Sequence, residues 1–353
     1  MTNQYSLGFI SKSQHFQEMR SPIYWKHLTK EKLKHPLIKE YIFENEFGYH
    51  TFKKSADTHL VQLGYQVLER TKLLNSSDIV ISLKPTNEWE YMRPGATLVG
   101  WFSHLKPSLQ NSINIHLFDI SKAKVWIEGR QQKLLYKNAY FAGKCGVIQT
   151  FKELQRYSYS SPAIAQEERL AVVLGYGNLG RGATTELLKQ GVEKVIVFTE
   201  RQPINVKSKV KNVEYRQMRY DTNNTYEILP GGSREALIDG ILTQADIIVN
   251  ATVAADFESK WTFIPENKFN QLKLNMAFID PVHKPGHGAY FTGTTQFQKP
   301  LKQIKKLNHF IWYNGCNAMP NYQPYEASNI ISRALLSHWD ELLRSIIFDR
   351  QKN

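Results

Sequence analysis

The sequence is short of cysteine, of long apolar runs and of acidic side chains. Its 353 residues include two cysteines. These, Cys145 and Cys316, lie far apart and match no metal-ligand spacing, which excludes a disulfide scaffold and a cysteine zinc site. No apolar run approaches the roughly 18 residues that cross a bilayer, so no membrane partner is expected. The first ten residues, Met1 to Ile10, lack a basic segment followed by a long apolar one, the pattern of a secretory signal. A reducing, cytoplasmic location is the default that follows. Asp and Glu number 32 against 45 Lys and Arg, a net charge of +13. The basic residues are dispersed, however. Their densest groups are short, such as Lys207, Lys209 and Lys211, and match no nucleic-acid-binding motif. This predicts a basic surface that attracts small anions rather than nucleic acid. Internal repeats and low-complexity tracts are absent too.

What the chain does have is concentrated in Leu170-Ala-Val-Val-Leu-Gly-Tyr-Gly-Asn-Leu-Gly-Arg-Gly182. An apolar run, Ala171 to Leu174, reads as a buried parallel strand. Gly175, Gly177 and Gly180 follow at G-x-G-x-x-G spacing, then an amphipathic helix with Leu187, Leu188 and Val192 on one side, then a second apolar strand, Lys194 to Phe198. Strand, glycine turn, helix and strand in that order form a dinucleotide-binding unit. Gly175 allows the sharp turn, Gly177 lets the backbone approach a pyrophosphate, and Gly180 lets helix and strand pack closely. Asn178 and Leu179 open the helix, whose N–H groups and positive dipole end suit phosphates. At the end of the second strand Thr199 takes the position where an acid selects NAD, and Arg201 stands beside it. This favours NADP(H) over NAD(H), although Glu200, one residue on, could turn in and favour NAD(H).

Further buried strands are expected at Ser6–Ile10, Asp78–Lys84, Ala96–Phe102, Asp246–Asn250 and Met276–Asp280, with shorter ones at Ile113–Phe118, Lys124–Ile127 and Phe310–Gly315. Their alternation with helices predicts an α/β protein of two Rossmann-like open-sheet domains. Asn250 and Asp280 fall at strand C-terminal ends, where open α/β sheets bind ligands, and are assigned to the cofactor. A short helix is expected from Thr29 to His35, a long one over Lys137–Tyr157, and a last one from Glu326 to Phe348. The apolar stripe of that last helix, Ile330 to Ile346, requires a partner and predicts a return to the first domain. The expected domains are 1–138 with 305–353, for substrate and catalysis, and 139–304 for the dinucleotide.

Met19-Arg-Ser-Pro-Ile23, Ile81-Ser-Leu-Lys84, Arg93-Pro-Gly95, Gly100-Trp-Phe-Ser-His104 and Tyr140-Phe-Ala-Gly-Lys-Cys-Gly146 follow one another in an order that resembles the alanine dehydrogenase and saccharopine dehydrogenase superfamily. The carboxyethylornithine synthase branch is the most similar. Asn317-Ala-Met-Pro320 and Glu326-Ala-Ser328 resemble the segment before that family's last helix. The resemblance implies reduction of an imine formed between a pyruvate-like 2-oxo acid and an amino-acid amine, in a homo-oligomer. It makes Arg20 the carboxylate grip, suited by its planar fork, and Lys84 and His104 the catalytic pair, His104 as general acid or base. The family usually carries a second Asp four residues after Asp280. Here Lys284 stands there, which argues against a plain alanine dehydrogenase. Alternatives are a saccharopine dehydrogenase-like or alanine dehydrogenase-like enzyme and a non-catalytic NAD(P)-binding sensor. The loop with His283, Lys284 and His287 has no carboxylate or cysteine at ligand spacing, so no metal is expected.

Overall fold

Short apolar runs become the inner strands of two parallel sheets. The computed structural model describes residues 4–15, 18–102, 105, 113–158, 169–220, 225–252, 261–282, 285–316 and 318–352. The chain divides into two units, Met1–Asn138 with Gln323–Asn353, and Ala139–Tyr322.

In the first unit the strands are β1 (Tyr5–Phe9), β2 (Ile38–Glu44), β3 (Gln66–Leu68), β4 (Ile79–Ile81), β5 (Thr97–Gly100) and β6 (His116–Asp119). They pair in the order β3-β2-β1-β4-β5-β6, every neighbour parallel. Inner strands such as Ile79-Val80-Ile81 are buried on both faces, which is why they read as unbroken apolar runs. Helices α1 (Tyr49–Phe52), α2 (Asp57–Gln62) and α3 (Arg70–Ser76) occupy the connections. An antiparallel hairpin, β7 (Lys124–Ile127) and β8 (Arg130–Lys133), follows β6.

The second unit starts within α4 (Tyr136–Ser158) and continues through β9 (Leu170–Leu174), α5 (Asn178–Lys189), β10 (Lys194–Thr199), β11 (Val213–Tyr220), β12 (Thr225–Ile228), β13 (Arg234–Ala236), β14 (Ile247–Asn250), β15 (Thr262–Ile264), β16 (Ala277–Ile279), β17 (Gly288–Ala289), β18 (Leu301–Lys306) and β19 (His309–Asn314). Its large sheet runs β13-β12-β11-β10-β9-β14-β16-β19-β18. From β11 to β19 the pairs are parallel, and the hairpins at both ends are antiparallel. Each unit therefore carries the doubly wound order in which the chain reverses direction beside its first strand. The architecture is α/β with two Rossmann-like sheets.

The chain then returns to the first unit as α6 (Pro324–Ser337) and α7 (Trp339–Lys352). Ile331, Leu335, Trp339, Leu342 and Ile346 join Leu7, Phe9, Phe43 and Ile79 in one core. Three expectations are corrected here. The return begins at Gln323 rather than at 305, because β19 pairs with β16 and belongs to the second sheet. The final helix is two helices. His338 leaves helical geometry at φ −124°, and Trp339 turns inward to donate from Nε1 to the Leu33 carbonyl at 3.1 Å. Thr29–His35 forms successive turns instead of a helix, with Lys32 N–H on the Thr29 carbonyl and Lys34 N–H on that of Glu31. So short a segment, without a capping bond, does not repay helix nucleation.

Candidate functional site

At the end of β9 the three glycines separate into two roles. Gly175 sits at φ +97°, and a Cβ there would come within 2.6 Å of the Ala251 carbonyl oxygen. A Cβ on Gly180 would overlap the Gly175 carbonyl itself. Both positions are closed to any other residue by the turn. Gly177 is different: it is exposed and nothing lies within 4 Å of where its Cβ would be. It is the N-cap of α5, and no side chain caps that end. An open backbone cradle at the start of a twelve-residue helix fits the diphosphate of a dinucleotide. Asn178 and Leu179, half-buried, form the first turn behind it. The helix is held close to α4 because Gly143 meets the Leu179 carbonyl and Gly182 meets the Tyr140 carbonyl. This gives the small residues of Tyr140–Gly146 a packing reason.

Tyr176, between the first two glycines, was not singled out by its sequence. It is buried, and its hydroxyl donates to the Ser208 carbonyl at 3.0 Å while accepting from Tyr215 at 2.8 Å. The Val210 N–H donates to Tyr215 Oη at 2.7 Å. Burial, then the bond to Tyr215, pushes the Tyr176 phenol up, so it stays a neutral donor. The loop with Lys207 and Lys209 is thereby tied to the glycine turn. At the end of β10, Thr199 is buried and its Oγ1 accepts from the Arg201 N–H at 3.4 Å. Arg201 and Glu200 are exposed. Arg219 of β11 reaches the same strand end, donating to the Glu200 carbonyl at 2.8 Å. Strand order brings it there, so no local motif announces it.

Asn250 and Asp280 are brought together and are wholly buried. Asn250 Nδ2 donates to Asp280 Oδ1 at 3.1 Å, and the Tyr313 hydroxyl donates to Oδ2 at 3.0 Å. Thr252 Oγ1 donates to Asn250 Oδ1 at 2.6 Å and meets His287 Nε2 at 2.9 Å. His287 therefore serves a buried network under the strand ends. Among the described residues, no group of three or more His, Cys, Asp or Glu is gathered as a metal ion would need.

In the first unit the chain reverses direction between β1 and β4, and two predicted site residues lie there. Lys84 follows the C-terminal end of β4 and is buried, 8% exposed. The Ser13 hydroxyl, from the loop after β1, holds the Lys84 carbonyl. The same loop carries Arg20, 4% exposed. Its guanidinium lies 4.6 Å from the Trp101 ring centre, a cation–π contact. Its Nε and Nη2 donate to the two oxygens of Glu18 at 2.7 and 2.6 Å, its backbone N–H donates to Oε1 at 3.0 Å, and Nη1 reaches Asn138 Oδ1 at 3.4 Å. Burial would raise the Glu18 carboxyl, but the charge and hydrogen bonds of Arg20, with the charge of Lys84, outweigh it and hold it below 4.5. Returning helix α6 fixes this loop, Ser328 Oγ accepting from the Ser21 N–H at 2.9 Å. Glu18 is the buried partner in this loop that sequence reasoning missed; its one signal was an acid two places before Arg20. His104, His283 and Lys284 lie outside the described residues.

The two frames are those of an alanine dehydrogenase-type fold. The structure matches an L-alanine dehydrogenase over 96% of this chain and 90% of that one, with a TM-score of 0.71 at 17% identity. It matches a transhydrogenase from Sinorhizobium meliloti over 96% and 93%, with a TM-score of 0.70 at 14% identity. In sequence the chain is similar to the N(5)-(carboxyethyl)ornithine synthase of Lactococcus lactis subsp. lactis (strain IL1403), 27% identical over 168 residues, 42% of this chain and 52% of that protein. The chain thus spans about half the length of the curated relatives it matches. No family model matches it. These likenesses bear out the resemblance to the alanine dehydrogenase superfamily and its carboxyethylornithine synthase branch.

Proposed function

We propose that the chain is a nicotinamide-dependent oxidoreductase that reduces the imine formed between a short 2-oxo acid and an amino-acid amine. The product is an N-(carboxyethyl) amino acid of the ornithine or lysine type. The observation that carries this reading is the pair of buried cations, Arg20 and Lys84, at the chain reversal of the first unit. Both cations lie near the buried Glu18 carboxylate, and the guanidinium has a further edge whose planar fork suits the carboxylate of a ligand.

Gly177, Asn178 and Leu179 would hold the diphosphate, and Thr199 with Arg201 the adenosine end. The neutral Thr199 hydroxyl, with two arginines at that strand end, supports NADP(H) over NAD(H). When bound, the reduced nicotinamide supplies the hydride that reduces the C=N carbon. Arg20 and Lys84 orient the oxo acid by its carboxylate, so that its carbonyl carbon meets the amine in one geometry, and Lys84 shares the proton steps with His104. His104 acts as acid and base: the amine nitrogen adds to that carbon, and a proton delivered to the resulting hydroxyl lets it leave as water.

A panel of amino acids crossed with pyruvate, glyoxylate and 2-oxoglutarate tests this, with NADPH absorbance followed and products weighed by mass spectrometry. NADPH should be consumed only when both substrates are present. Turnover with pyruvate and ammonia alone would make the chain an alanine dehydrogenase. A best pair of 2-oxoglutarate and lysine would place it with saccharopine dehydrogenase. NADPH binding without turnover on any pair would favour a sensor.

A further inference from the structure

Glu18 has no part in the chemistry above, yet it is wholly buried among the groups that bind the oxo acid. We propose that Glu18 is a built-in carboxylate that occupies one edge of Arg20 and so restricts the oxo-acid pocket to ligands with a single carboxylate. The inference rests on the function proposed above and names a selectivity residue for the same site.

The geometry carries it. A guanidinium offers two edges that can each grip a carboxylate with two parallel bonds. Glu18 takes the Nε–Nη2 edge at 2.7 and 2.6 Å, and Trp101 covers a face at 4.6 Å. The Nη1–Nη2 edge is left, with Asn138 Oδ1 beside it at 3.4 Å. The other buried carboxylates described in this unit are turned elsewhere, Glu44 to the Ser11 N–H at 2.6 Å and Arg70 Nε at 2.7 Å, and Glu88 to the Ser82 hydroxyl at 3.0 Å and the Thr86 N–H at 2.7 Å. The undescribed residues of the first unit, 1–3, 16–17, 103–104, 106–112 and 353, include no Asp or Glu. A ligand carboxylate therefore meets an arginine whose charge is already half answered. A second negative charge on that ligand would face Glu18 across a desolvated site, where like charges repel strongly. Glu18 acts through Arg20 and is a positioning residue.

The test separates charge from shape with two ligands of nearly equal size, oxamate with one negative charge and oxalate with two. Their binding to the full chain, saturated with NADPH, is measured by calorimetry, with circular dichroism as the check on folding. Wild type should prefer oxamate by about tenfold or more. Glu18→Gln keeps the size and removes the charge, and should shrink or invert that preference by about tenfold. Glu18→Asp keeps the charge and should retain it. An unchanged ratio in Glu18→Gln, or a ratio lost in Glu18→Asp, would overturn the proposal. Should Glu18→Gln not fold, the wild-type preference and its retention in Glu18→Asp decide. Equal binding of the two anions by wild type defeats the role of Glu18 alone. Binding of neither defeats the proposed function, and with it this inference.

Discussion

The two units share one strand order and use the end of the first strand in opposite ways. In the second unit the chain leaves β9 through three glycines and enters α5 at once, so the surface presented there is backbone: Gly177 stands open and no side chain caps the helix. In the first unit the chain leaves β1 into a long loop that reaches β2 only at Ile38. The surface there is made of side chains, Glu18, Arg20 and the Lys84 that Ser13 secures from the neighbouring strand. The comparison teaches that the frame places a ligand while the first connection decides its kind. A tight glycine turn accepts a diphosphate that needs several N–H groups and little selectivity. On the proposed function, a loop of buried charged side chains would accept a small carboxylate and discriminate among them.

The strongest way to break this comparison is to remove the side chains from one unit and ask whether the other notices. Lys84→Ala and Arg20→Ala should each lower kcat/KM for the oxo acid by about 100-fold or more, since each removes a buried charge that positions the reacting carbon. His104→Ala should cost as much if it carries the proton steps. NADPH affinity, measured by fluorescence titration, should stay within about twofold of wild type. A parallel fall in NADPH affinity would show that the division of labour between the units is wrong.

The glycines sharpen it next. Gly180→Ala drives a Cβ into the Gly175 carbonyl, and overpacking of that kind costs about 1–3 kcal/mol, so both Tm and NADPH binding should drop. Gly177→Ala has open space around the added methyl. It should leave Tm unchanged while weakening NADPH about tenfold, as a Cβ intrudes where the diphosphate lies. Equal effects from the two variants would remove the distinction between a glycine that shapes the turn and one that makes room. A smaller effect is expected at the adenosine end. Arg201→Ala should reduce the preference for NADPH over NADH by about tenfold, the worth of a single phosphate contact, read as the ratio of the two kcat/KM values.

The second unit was the more legible from sequence, and the reason is physical. Backbone recognition demands glycines at fixed spacing next to an apolar strand, so Gly175, Gly177 and Gly180 announce themselves locally. Side-chain recognition in the first unit leaves no such mark. Lys84 and Arg20 were found through their strand ends and the order of segments, whereas Glu18, two residues before Arg20, reads as any surface acid until the loop is seen to be buried. Arg219 escaped because it reaches β10 only through the parallel pairing of Thr199 with Gln217. Asn250 and Asp280 were placed at the correct strand ends, but the buried network that ties them to Tyr313, Thr252 and His287 is a property of several strands together. The end of the second unit was misread for a similar reason. A strand such as β19 looks the same in sequence whichever sheet it joins.

Acid should separate the wild type from a first-unit variant by a smaller amount. His50 follows the Arg20 loop in chain order and meets Thr51 Oγ1 at 3.1 Å, while Thr51 itself donates to the Met19 carbonyl at 2.7 Å. Burial first, then the charge of Lys12, pushes the imidazole down to about 4 from 6.5. A base depressed in this way is neutral in the folded state while the unfolded chain takes up its proton. Its contribution is complete above 6.5 and is lost as pH falls from 6.5 toward 4. Glu18, a depressed carboxylate, keeps its contribution above 4.5 and loses it below that value, so the two windows meet without coinciding. Urea unfolding between pH 7 and pH 4.5 should show a decline in stability, of which His50 supplies at most about 1.4 kcal/mol per pH unit, the limit for one proton. His50→Gln keeps a partner for Thr51 and cannot titrate, so its curve should be flatter over that window and should converge on wild-type steepness below it, where Glu18 takes over. Superimposable curves for the two proteins would mean that His50 is not where the first unit senses acid.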